Sequence, residues 1–284
     1  NATGKKGHAL SLRLIIESPD YCREVPHPTP VPTVAPTPPP LADSAISALW
    51  ANDGGDKVVK DDLRVGNGGP AAVVNSIWNG ARISLFGAQN EIVSFNLVLE
   101  AKAGSARDVK VEFDRLVGPG GSQISSAALG REGIFDFTQR NIELFFVRYL
   151  QIKGLSRLSY EVYDERHIPF RLRRPHDGHL GRGVWENRPD HDKFYPDIAV
   201  PLELVNSFDI DVGTNQSIWS DIYIPKTATP GLYVGTLKIS EGPAEVYHVP
   251  VMLEVKRFSL PDVPNAKTML YLGYGDIAKR YFGG

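Results

Sequence analysis

The chain has 284 residues, 42% of them hydrophobic, enough apolar material to fill one large core or two ordinary ones. Its 31 lysines and arginines against 33 acidic residues leave a formal charge of −2, which excludes a strongly basic surface for neutralising a phosphate backbone, so nucleic acid is not an expected partner. No apolar run reaches membrane-spanning length, so no membrane partner is expected, and the single Cys22 excludes an internal disulfide framework and a multi-cysteine zinc site.

Residues 10–16 (LSLRLII) read as a strand close to Asn1, and residues 1–25 are expected to be the C-terminal end of a preceding domain. Residues 26–44 form a Pro/Thr-rich linker whose alternating prolines favour extended polyproline II over any packed core. Spacers of this kind join modules of extracellular proteins, so a secreted or cell-surface location is expected.

From residue 45 to 264 the dominant signal is strand periodicity, in runs bounded by Gly, Asn, Asp and Pro. Strands are predicted at Ile83–Phe86, Ile92–Glu100, Val109–Leu116, Ile142–Leu150, Ile218–Ile224, Leu232–Ser240 and Glu245–Val255. In the second of these, Val93, Phe95, Leu97 and Leu99 form the core-facing set. Helical periodicity is confined to short stretches near Asp61 and Asp276–Tyr281. Many closely spaced strands without intervening helices predict an all-β fold, an antiparallel β-sandwich of immunoglobulin or jelly-roll type. Between Asp164 and Val200 the pattern breaks into Arg, His, Pro, Gly and Asp, a long loop insertion after which the strand signal resumes at Pro201–Val205.

Four segments carry a family resemblance. They are Ile83–Phe95 (ISLFGAQNEIVSF), Phe194–Asp197 with Val200–Leu202, Trp219–Lys226 followed by Pro230–Leu237, and Val249–Val251 with Phe258–Asp262 and Lys267–Thr268. In this order they resemble the N-terminal β-sandwich of glycoside hydrolase family 123-like and related DUF4091 proteins. That resemblance implies a following (β/α)8 barrel with a catalytic Asp-Glu pair, used in substrate-assisted cleavage of N-acetylated amino sugars. Thr268–Tyr274 looks like the first barrel strand, so residues 265–284 are expected to open a truncated barrel. No residue of this chain matches the Asp-Glu motif, and none of the family's catalytic roles is carried over. The expected function is a non-catalytic accessory module of a secreted, N-acetylhexosaminidase-like protein, with the C-terminal barrel of the same parent chain as partner. The alternative is an autonomous carbohydrate-binding or cell-surface adhesion module that meets glycans directly.

Aromatic faces pack on the C–H faces of pyranose rings, so tryptophans beside turns are the candidates for sugar contact. Trp78, in an Asn- and Gly-flanked stretch, and Trp185 are predicted to be exposed, with Tyr195 beside them as a third candidate; Trp219 opens an alternating strand and is most simply core. His176, His179, His191 and Asp192 are the candidate metal ligands, although the glycines and prolines among them deny a rigid element and a solvated loop is the plainer reading. Asn52–Asp56 has a calcium-loop composition without EF-hand spacing, which reads as a β-turn. Glu161, Asp164, Glu165 and His167 read as a charged loop, and no cofactor is expected.

Overall fold

Alternating β-branched and aromatic residues build long strands at all seven predicted places. The structure, a computed structural model, describes residues 40–128, 140–152, 192–263 and 274–282. Within these residues lie strands β1 (Ala48–Asn52), β2 (Ile83–Gln89), β3 (Glu91–Ala101), β4 (Ala106–Val117), β5 (Gln123–Ser125), β6 (Ile142–Ile152), β7 (Lys193–Pro201), β8 (Phe208–Ile210), β9 (Thr214–Ile224), β10 (Gly231–Glu241) and β11 (Ala244–Ser259). The short helices α1 (Arg64–Gly68) and α2 (Tyr274–Phe282) fall near the two predicted helical stretches. No helix among the described residues is long and apolar enough to cross a membrane. The preceding segment, most of the linker and the barrel-like strand before Tyr274 lie outside the described residues.

The strands form two sheets, one in the order β1-β3-β9-β6-β7 and the other β2-β11-β10-β4-β5 with β8 beside β4. They share one core. Phe95 and Leu97 of β3 and Ile218 and Ile222 of β9 meet Val111 and Phe113 of β4 and Leu237 of β10, all buried, and the Phe95 and Phe113 rings stand 6.5 Å apart in a tilted pair. Each such side chain contributes about 1.5–3 kcal/mol on burial, which is the main force holding the layers together. Val93, Phe95, Leu97 and Leu99 do face this core, as the alternation predicts.

Three features depart from the sequence reading. First, β2 runs parallel to β11, from Ile83 beside Val251 to Gln89 beside Ser259, so the fold is not wholly antiparallel. Asn90, at a left-handed φ of 63°, turns the chain from β2 in this sheet to β3 in the other, so that β2 and β3 are joined by a corner and not by a hairpin. Second, the strand signal resumes at Lys193, while Leu202–Leu204 is a short 3-10 turn. Pro196 and Pro201 disguise β7, yet both are tolerated because β7 is an edge strand, with a bulge opposite Arg148 and Tyr149.

Third, the face of β3 opposite the core is also buried along half its length. The segment between β1 and β2 folds over it: Trp50 (1% exposed), Val98 (0%) and Glu100 (0%) lie beneath this cover with Val58 and Leu63. Asn215 pins the cover by donating through Nδ2 to the carbonyls of Val59 (2.8 Å) and Asp62 (2.9 Å). The cover ends near Gly54, and beyond it the outer face of the first sheet opens.

Candidate functional site

On β9 the outward positions are Asn215, Ser217, Trp219, Asp221 and Tyr223, set by the register in which Trp219 lies between Asn96 of β3 and Phe145 of β6. Where the cover stops, this outer face forms a groove of about 340 Å³, within the ~300–1,000 Å³ range of small-molecule sites. Its floor is Asn96, Ser217, Val147 and Trp219; one wall is Gly54, Asp56 and Lys57, the other Pro196, Asp197 and Ala199 of β7. Trp219 is only partly buried, which corrects its assignment to the core.

The indole is held at both ends. Its Nε1–H donates to Asp221 Oδ1 at 2.7 Å, and the same oxygen accepts from Ser94 Oγ at 2.6 Å. Its far edge lies against Gly54, where an added Cβ would fall 2.2 Å from Cη2. Gly54 sits at φ +81°, in a pair of tight turns in which Asn52 Oδ1 accepts from Gly54 N and Asp53 Oδ1 from Gly55 N, each side chain capping the backbone two residues on. The Asn52–Asp56 stretch is thus a turn that places a residue without a side chain against the tryptophan.

Polar groups surround the indole. Asp56 pairs with Arg64, which also binds Asp62 at 2.9 Å and stands 5.1 Å over the Trp50 ring. Burial alone would lower the Arg64 pKa, but the bonds and charges of Asp56 and Asp62 outweigh it and hold it raised. Lys57 and Asp197 pair across the groove mouth at 3.4 Å. Asn96 is 5% exposed, and its Oδ1 has no hydrogen-bond partner among the described residues, as is true of Nδ2 of its cross-strand neighbour Asn52. Beside the floor, the Tyr149 hydroxyl donates to Asn215 Oδ1 at 2.6 Å and accepts from the Ser217 backbone N–H at 3.1 Å, and burial pushes its pKa up to about 12.

The residues singled out from sequence do not converge here. Trp78 is 1% exposed and packs in the core, which overturns its predicted exposure. The flanking Asn75 and Asn79 cap backbone N–H groups, including that of Trp78, so the turn residues report backbone geometry and not a surface side chain. Tyr195 is partly buried, engaged with neighbours, and lies opposite Leu150, on the other face of β7 from Pro196 and the groove. Trp185, His176, His179 and His191 lie outside the described residues, as do Glu161, Asp164, Glu165 and His167. Asp192 is exposed at φ 56° and accepts a bond from Gln151 Nε2 at 2.8 Å. Among the described residues no three His, Cys, Asp or Glu side chains gather to hold a metal. A second hollow, of about 470 Å³, lies between β4 and β6 with Lys110, Glu112, Arg140 and Glu203 in its lining; Arg140 pairs with Glu203 and directly follows residues outside the described set.

No family model matches the chain, and no curated protein matches it. Among solved structures, a family 123 glycoside hydrolase from Clostridium perfringens is similar at 14% identity and a TM-score of 0.48, over 75% of this chain and 28% of that one. The SrpA adhesin of Streptococcus sanguinis is similar at 8% identity and a TM-score of 0.22, over 61% of this chain and 54% of that one. This chain therefore spans little more than a quarter of the hydrolase and about half of the adhesin. At such values the likeness carries no functional statement.

Proposed function

We propose that the chain is a non-catalytic accessory β-sandwich module of a longer, secreted, N-acetylhexosaminidase-like protein, and that the outer face of its second sheet packs on a neighbouring domain of the same parent. The observation that carries this reading is the row of exposed apolar side chains on that face. Phe86 of β2 (71% exposed) and Leu232 of β10 (49%) flank Glu254, while Val234 (48%) and Val117 (40%) continue from Met252 in the adjacent row. Exposed apolar side chains gathered on one face mark an interaction surface more often than scattered single ones. Phe258, Leu260 and Val263 extend the exposed apolar character along the chain beyond this sheet. The four ordered sequence segments support the family part of the reading.

Two measurements test it. The purified chain should not turn over an aryl N-acetylhexosaminide, and turnover would overturn the non-catalytic part. Hydrogen exchange of β2 and β10 amides should slow in the full parent protein relative to the isolated 284-residue chain. Equal exchange in both forms would overturn the docking part.

A further inference from the structure

We propose that the groove beside Trp219 binds a neutral pyranose residue of a glycan. This goes beyond the accessory reading, because it concerns the opposite sheet and holds whether or not the second sheet docks on a neighbour. Three observations carry it. The indole is a fixed platform: Asp221 occupies its only donor and Gly54 bounds its far edge, so what remains for a ligand is the apolar ring surface. A platform held before binding loses little entropy when a ligand arrives.

The second observation is Asn96. Asn96 lines this groove beside Ser217, whose hydroxyl lies 3.4 Å from the amide nitrogen, and its amide oxygen is sealed from solvent with no partner among the described residues, which is costly. A hydroxyl donor at the floor satisfies it, directly or through one water, once the amide turns its oxygen toward the groove. The third is the charge pattern. Asp56 is matched by Arg64 and Asp197 by Lys57, so the rim offers carboxylate acceptors for hydroxyls without the surplus of cations that a sulfated, phosphorylated or sialylated ligand needs. An aromatic platform, an amide, a hydroxyl and neutralised carboxylates together fit a ring that carries C–H groups on its faces and hydroxyls on its rim.

The test uses the full 284-residue chain on an array of neutral, sulfated and sialylated oligosaccharides, followed by NMR titration with the best neutral hit. Binding to neutral glycans is expected, with a shift of the Trp219 indole N–H resonance. Trp219→Ala should weaken binding about tenfold or more. Ala199→Trp, a substitution on the exposed edge strand that fills the groove without touching the core, should abolish it. Trp78→Phe should leave it unchanged. No binding to any neutral glycan, binding to anionic glycans alone, or binding that survives Ala199→Trp would overturn the proposal, and none of these results bears on docking by the second sheet.

Discussion

Across the β1–β3 pair, the Trp50 indole N–H donates to Glu100 Oε1 at 2.8 Å, with both side chains sealed from solvent. The same carboxylate accepts from the backbone N–H groups of Val65 (3.1 Å) and Gly66 (2.7 Å), so one buried acid fastens the covering segment to the first sheet. Replacing Glu100 with Ala strands three donors at once. The expected loss of stability is about 3–5 kcal/mol, because broken buried networks leave every remaining group unsatisfied. Urea denaturation of Glu100→Ala beside Glu100→Gln, which keeps one acceptor oxygen, measures it. A loss below about 1 kcal/mol would show that the cover is held by its apolar side chains alone.

Gly54 makes a more local prediction. Gly54→Ala places a methyl carbon 2.2 Å from the Trp219 ring at a residue with φ +81°, so the indole must move and the turn is strained. The expected cost is about 1–3 kcal/mol, with a displaced Trp219 indole resonance. An unmoved resonance would mean that the turn and not the ring gives way.

Gly235 tests the join between β10 and β4. Its Cβ would lie 2.3 Å from the Arg115 carbonyl oxygen, at the step where the register between the two strands shifts. Backbone cannot rotate aside as a side chain can, so Gly235→Ala should cost about 1–3 kcal/mol or more. Gly275→Ala, in open space on α2, should be neutral or slightly stabilising, and a thermal melt of the two variants side by side makes the comparison.

Tyr149 predicts a pH dependence. Burial raises its pKa from 10.0 to about 12, so the fold prefers the neutral phenol. The unfolded chain loses this proton first as pH rises, and unfolding is then accompanied by proton release. The contribution is therefore full below pH 10 and is lost between about 10 and 12, amounting to about 2–3 kcal/mol. In Tyr149→Phe this part of the alkaline loss should vanish from denaturation midpoints taken at pH 8, 10 and 11.5. Tyr247, also raised by burial and then by the Glu241 charge, should retain its own share in that variant.

Strand positions were legible because β2, β3, β9, β10 and β11 alternate cleanly, and the inward set from Val93 to Leu99 could be read directly. The opposite face of β3 was not, since alternation cannot distinguish a polar face bathed in water from one buried under a distant segment; Asn96 and Glu100 look alike either way. For Trp219 the sequence does carry the signal. Its neighbours two residues away are Ser217 and Asp221, a polar outward row, whereas Ile218 and Ile222 hold the inward row. Trp78 misled for the reverse reason, because Asn and Gly beside it describe a turn whose side chain points inward. The groove itself joins residues from β1–α1, β3, β6, β7 and β9, and no local pattern brings such distant positions together.

The long strand β11 gives the described fold a direction. The chain comes in at Leu41, whose N–H donates to the Val246 carbonyl near one end of β11, and leaves past Leu260 at the other end, where Leu260 N–H donates to Gln89. At ~3.3 Å per residue these two points stand on the order of 40–45 Å apart along the strand. A pull on the backbone just beyond Leu260 would draw β11 lengthwise and load its ladders with β2 and β10 in shear, where many hydrogen bonds must yield together, in contrast to a hairpin that unzips bond by bond.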